Sequence, residues 1–140
     1  MINITASLTG GATTANVLNL GVYSRLAGGF CDLYLYSDNG GAPGTRLTFV
    51  LQAPLNAAGK NLGSPNVNTT VTAGQKYWIG GVCDNSPTFV EMYQSSISTE
   101  TVYISPQSFG TALATTYPVS SANPTSGVGL TFYIQVQNAP

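Results

Sequence analysis

The side chains able to do chemistry in this chain of 140 residues are few and scattered. There is no histidine, which removes Ser-His-Asp and Cys-His nucleophile arrangements and every histidine-based metal centre. The five acids are Asp32, Asp38, Asp84, Glu91 and Glu100. A glycoside hydrolase needs two facing carboxylates, and nothing in the spacing of these five marks a pair. Asp38-Asn39 and Asp84-Asn85 sit in turn-rich segments and offer oxygens of the kind Ca²⁺ takes. The same residue types hydrogen-bond their own backbone in turns, and calcium sites gather more carboxylates than this. The sequence therefore predicts turn chemistry, with no catalytic residues, no cofactor and no metal, and the chain is predicted not to be an enzyme.

Two further side-chain sets carry recognition or redox potential. Cys31 and Cys83 are the only cysteines, and both stand in apolar, strand-like surroundings where a thiol packs as a small hydrophobe. Buried free thiols are the favoured reading, and a single bridge between facing strands is the alternative. Trp78 is the only tryptophan; it either anchors a core or interface or stacks on a sugar ring. Tyr34, Tyr36, Tyr77, Tyr93, Tyr103 and Tyr133 each pair an apolar ring with a polar tip, which suits a sugar platform and a subunit contact equally.

The elements that must position these groups are strands. Helical periodicity is almost absent, and β-branched and aromatic residues dominate the apolar runs. Ile2 to Leu8 alternates Ile2, Ile4, Ala6 and Leu8 on one face. Ala15 to Tyr23 is predicted to turn Leu18, Leu20 and Val22 inward. Phe30 to Tyr36 is the clearest strand: Cys31, Leu33 and Leu35 share a face read as core, while Phe30, Asp32, Tyr34 and Tyr36 share the other. That tyrosine face is either a binding surface or is covered by a neighbouring loop.

Ser37 to Thr45 is read as a loop, with Asn39-Gly40 and Pro43-Gly44 as turn signals. Leu47 to Leu51 resumes as a strand with Leu47, Phe49 and Leu51 on one face. Pro54 to Pro65 is predicted to be a long polar connection, and Val67 to Val71 a short strand. In Gln75 to Cys83, Tyr77, Ile79, Gly81 and Cys83 face one side and Trp78, Gly80 and Val82 the other; the paired glycines suggest a bend or a close backbone approach. Phe89 to Tyr93 and Thr101 to Ile104 are predicted strands, Pro106 to Pro124 a loop, and Val128 to Val136 the closing strand. About eight or nine short strands separated by turns indicate a two-sheet antiparallel β-sandwich, all-β, formed by residues 1–140 as a single domain.

Composition narrows the partners. Charged residues make up 6% of the chain, against about 25% in an average soluble domain. The four cations, Arg25, Arg46, Lys60 and Lys76, form no basic run, so nucleic acid is excluded as a partner. No run reaches the roughly 20 apolar residues of a membrane span, and the first residues, MINITASLTGG, lack the charged and apolar regions of a signal peptide. A net charge of −1 lowers the barrier to self-association.

One segment is specific enough to suggest a family. Leu33 to Leu47 reads LYLYSDNGGAPGTRL, and Val71 to Ile79 reads VTAGQKYWI. Together they resemble the strand-turn motifs L-Y-S-D, N-G-G-x-P-G-T-x-L and L-T-A-G-x-x-Y-W-I/L of jelly-roll β-sandwich modules. Such modules occur in tailed-phage structural proteins and large bacterial surface proteins, mostly as non-catalytic domains. The motifs cover about a third of the chain and carry no catalytic residues with them; after Asp84 the likeness is one of character only.

The resemblance implies a jelly-roll-like sandwich and a virion structural role, as a capsid decoration (cement) protein or a head or tail fibre subunit. Such a protein is made in the host cytoplasm and sits on the virion surface, as a homo-oligomer in contact with other virion proteins. The alternative is an extracellular carbohydrate-binding module that takes host-surface glycans. Tyr34, Tyr36, Trp78, Asp38 and Asn39 are the candidate binding or interface residues under both readings.

Overall fold

The computed structural model describes residues 2–6, 8, 10–24, 27–84, 101–104, 109–110, 114–117, 123–126 and 132–138. Among them the chain is all-β, with ten strands: β1 (Ile2–Thr5), β2 (Thr14–Ser24), β3 (Phe30–Asp38), β4 (Pro43–Pro54), β5 (Gly59–Gly63), β6 (Thr70–Thr72), β7 (Lys76–Cys83), β8 (Thr101–Ile104), β9 (Asn123–Ser126) and β10 (Phe132–Asn138). They form two antiparallel sheets. One runs β4-β3-β7-β1-β8-β9; the other runs β10-β2-β5, with β6 also paired to β2. The predicted strand at Phe89 to Tyr93 lies outside the described residues.

The inner faces of the two sheets share one core. Leu33 and Leu35 of β3, Ile79 of β7 and Val50 of β4 pack with Ala15, Val17, Leu20 and Val22 of β2. Their period-two spacing places them there. Thr48 is buried among them without cost, because its hydroxyl donates to the Val67 carbonyl at 2.7 Å.

Two bulges correct the face assignments. On β2, Leu20 pairs with Ile134 and Asn19 with Gln135, but the next partner of Val136 is Val17. The extra residue is Leu18, which is turned outward and 39% exposed, while Val17 takes the inward place. An extra residue shifts every later side chain to the other face. On β4, Leu35 pairs with Thr48 and Tyr36 with Arg46, so Leu47 is the extra residue. Leu47 accordingly joins the inner core, while Phe49 and Leu51 lie on the outer face.

The segment read as a long connection contains β5, which pairs with β2 from Leu20↔Gly63 to Ser24↔Gly59. Its sequence, GKNLG, has no β-propensity. The strand is held instead by its pairing and by Asn61, whose amide donates to the Ala57 and Gly59 carbonyls at 2.9 and 3.1 Å. At Gly63 the two sheets approach closely: a Cβ there would stand 2.5 Å from Val50 Cγ1 and 3.2 Å from Ala53 Cβ. Val50 is β-branched and cannot swing aside. Gly63→Ala is therefore expected to cost about 1–3 kcal/mol by overpacking, read as a lower urea midpoint; an unchanged midpoint would mean the sheets separate freely at this point.

The cysteines are bonded, which corrects the free-thiol reading. Cys31 of β3 lies directly opposite Cys83 of β7, and the two form a disulfide. The Asp84 amide donates to the Phe30 carbonyl at 3.0 Å, which makes Phe30 and Asp84 the hydrogen-bonded pair. The Cys31–Cys83 pair beside it is non-hydrogen-bonded, the register at which Cα atoms approach most closely; their separation is 4.0 Å. Gly81 of the same strand meets the predicted close approach, since a Cβ there would stand 2.7 Å from the Asp32 carbonyl oxygen.

Candidate functional site

Alternation along β3 sends Asp32, Tyr34 and Tyr36 to the outer face of the larger sheet, away from the shared core. Cross-strand pairing sets Trp78 of β7 opposite Tyr36 and Phe49 of β4 opposite Tyr34. The result is a second apolar cluster of Tyr34, Tyr36, Trp78 and Tyr117, with Phe49 and Leu51 against it. Tyr34 and Tyr36 are fully buried and Trp78 is 1% exposed. The tyrosine face is thus a covered one, and these three aromatics present no open platform to a sugar ring.

The cover is the segment 114–117. Tyr36 Oη donates to the Ala114 carbonyl at 2.8 Å. The Arg46 amide donates to the Thr115 carbonyl at 2.6 Å, and the Tyr117 amide to the Gly44 carbonyl at 3.0 Å. The Tyr117 ring meets Tyr36 edge-on, with centroids 5.5 Å apart and planes at 82°, the geometry that aligns one ring's positive edge with the other's negative face. The Arg46 guanidinium lies 4.6 Å from the centre of the Phe49 ring, a cation–π distance.

Burial has a measurable consequence for the two phenols. Both the Tyr36 and the Tyr117 hydroxyls are pushed up to about 12 from the ordinary 10.0, chiefly by desolvation. At Tyr36 the Arg46 charge pulls the other way and Tyr117 adds to the rise. Below the unfolded value near 10 both states hold these protons, and the contribution to stability is full. As pH rises from 10 toward 12 the unfolded chain ionises first, so this contribution is lost across that window. Spectrophotometric titration should show a fraction that ionises late, above pH 10, and Tyr36→Phe and Tyr117→Phe should each reduce it. A single transition near 10 would contradict the burial described.

Two carboxylates pin this face. Asp32 is fully buried. Its Oδ1 accepts from the Gln52 amide at 2.7 Å and its Oδ2 from the Gly110 amide at 2.6 Å. Gln52 stands at the third irregularity of β4, where Cys31 pairs with Ala53 but Leu33 with Val50, and has a left-handed φ of 53°. Asp32 thus holds a bulge in place on one side and the Gly110 backbone on the other.

Asp38 closes the opposite end of β3. Its Oδ1 accepts from Trp78 Nε1 at 2.6 Å and its Oδ2 from the Gly41 amide at 3.1 Å. The turn is tighter than the predicted loop, because pairing of β3 with β4 persists to Asp38↔Pro43. Asn39, Gly40, Gly41 and Ala42 alone form it, with the Asn39 amide donating to the Ala42 carbonyl at 2.8 Å.

An open polar cleft of about 540 Å³ adjoins this turn. Ser37, Asp38, Thr70, Gln75, Lys76 and Tyr77 line it. Tyr77 is its buried member, and its hydroxyl accepts from the Thr72 amide at 2.8 Å. Lys76 and Asp38 supply opposite charges to one hollow.

Of the five residues singled out from sequence, the structure brings together Tyr34, Tyr36, Trp78 and Asp38, and leaves Asn39 exposed at the tip of the same turn. Sequence reasoning missed Tyr117 and the segment that carries it. Its only local signal, Tyr117-Pro118, predicts extended chain and says nothing of where that chain lies. It also missed the part Asp32 plays, since a lone acid on a strand carries no mark of its partners. Among the described residues no group of three or more His, Cys, Asp or Glu side chains converges as a metal centre would. No protein-family model, curated protein or solved structure matches this chain.

Proposed function

We propose that this chain is a non-enzymatic structural module of a virion surface, of the capsid-decoration or fibre kind, that works as a homo-oligomer against other virion proteins. The observation that carries the reading is how its reactive groups are employed. Asp32 and Asp38 each give both carboxylate oxygens to N–H donors of the fold, and the aromatics beside them are sealed. A cross-strand disulfide suits a protein that functions outside the reducing cytoplasm, acquiring its bond after release from the cell. The low-charge surface, with Leu18 and Leu62 exposed, suits close packing with identical neighbours. Light scattering after size exclusion, at several concentrations, tests this directly. A closed oligomer that binds undecorated particles saturably is expected; a monomer at every concentration that ignores particles would overturn it.

The second reading, carbohydrate binding, is favoured by the polar cleft rather than by the buried aromatics. Its neutral amide and hydroxyl groups with one charge of each sign are suited to a hydroxyl-rich ligand. Glycan binding that Gln75→Ala weakens would support it, and binding indifferent to that change would place the sugar elsewhere.

A further inference from the structure

We infer that Asn39 is a site of spontaneous backbone modification, converting through a cyclic imide to aspartate and isoaspartate. Of all the asparagines in the chain, only Asn39 is followed by glycine. The structure adds three conditions that a sequence pair alone does not supply. Asn39 is exposed, as are Gly40 and Gly41. Among the described residues the Asn39 side chain has no hydrogen-bond partner, and the one hydrogen bond of this residue runs from its backbone amide to the Ala42 carbonyl. The Gly40 amide likewise has no acceptor among the described residues, the neighbouring donor that binds Asp38 being Gly41. Nucleophile and electrophile are therefore adjacent and both free. Gly40 and Gly41, at φ of 64° and 90° with open space where a Cβ would stand, let the backbone turn without steric resistance.

The chemistry balances with water alone. Base removes the Gly40 amide proton, and that nitrogen attacks Asn39 Cγ. The new C–N bond forms as the bond from Cγ to Nδ2 breaks, and ammonia departs. Water then opens the imide at either carbonyl. Opening at the side-chain carbonyl gives aspartate with an ordinary backbone. Opening at the main-chain carbonyl gives isoaspartate, which routes the chain through one extra methylene. Both products add a negative charge to a chain whose formal net charge is −1. The isoaspartate also lengthens the turn between Asp38 and Gly41, across which the carboxylate that holds the Trp78 indole is itself steadied.

The test is incubation of the intact, oxidised protein in mildly alkaline and mildly acidic buffer, followed by peptide mapping with mass spectrometry and by isoaspartyl methyltransferase labelling. The peptide bearing Asn39 should gain the mass difference between an amide and an acid severalfold faster than any other asparagine peptide. The reaction should quicken in alkali, and most of the product should accept the methyl label. Asn39→Gln should abolish both signals; Asn39 has no left-handed φ and an exposed side chain, so this variant should fold as the parent does. Conversion at Asn39 no faster than at the other asparagines, or label that persists in Asn39→Gln, would overturn the inference.

Discussion

Replacing both cysteines, Cys31→Ala with Cys83→Ala, is expected to lower stability more than any surface change to this protein. The bridge closes a loop with a sequence separation of 52. Cross-linking a loop of that size removes unfolded-chain entropy equivalent to about 4 kcal/mol. For a domain of this length that corresponds to a fall of roughly 12 °C in Tm. Urea denaturation of the parent and the double variant measures it, and comparison with the parent reduced and alkylated while unfolded separates the lost bond from the lost side-chain volume. Matching midpoints for bridged and unbridged protein would show that β3 and β7 are held in register by their ladder and neighbouring cores alone. The effect should concentrate at the Phe30 end of β3, where the bulge at Gln52 already interrupts pairing with β4. Amide exchange of residues near Asp32 should then rise before that of residues near Tyr36.

The second large effect is expected at Asp32. Asp32→Ala removes the buried acceptor of two backbone amides, those of Gln52 and Gly110. A charge-assisted bond contributes about 1.5–3 kcal/mol and Asp32 accepts two, so a loss of about 3 kcal/mol is expected. Asp32→Asn separates charge from geometry. An amide keeps one acceptor oxygen but turns an NH₂ toward the other N–H, so two donors would face each other. The near-isosteric change should therefore recover little of the lost stability. Because Gly110 belongs to the stretch just before the covering segment, both variants should also raise fluorescence quenching of Trp78. Full recovery in Asp32→Asn, measured by urea denaturation, would show that the two amides find water instead.

How far the sequence foretold this architecture depends on which residues are asked. The faces of β3 were legible because aliphatic and aromatic residues alternate from Leu33 to Tyr36, and those of β7 because no bulge interrupts its period of two. The Asp38–Ala42 turn was legible because Asn-Gly-Gly announces a chain reversal. Leu18 and Leu47 were misplaced because a bulge adds one residue without altering local composition, so only the partner strand reveals the phase change. The β5 strand was hidden because GKNLG is held by its neighbours rather than by its own preferences. The cysteines were misread as free thiols because strand order in a sandwich is not written in either strand. At the candidate site, Asp38 was singled out for its turn position, and its partner Trp78 lies 40 residues away, beyond the reach of any local pattern.

The covering segment also bears on how the chain is completed during synthesis. Asp32 and Tyr36 find their partners 78 residues downstream, and β2 bonds to β10, with Asn19 meeting Gln135 across 116 residues. Contacts this distant make folding slow, because the entropy of closing the long loop is lost before the contacts repay it. On the ribosome the aromatic side of β3 and the β10-facing side of β2 would emerge early and wait for the segment 110–117 and for β10. The nascent protein would thus pass through a stage with an uncovered aromatic surface and an unpaired strand edge. At that stage a chaperone, or another half-made copy, would meet the surface that the finished molecule conceals.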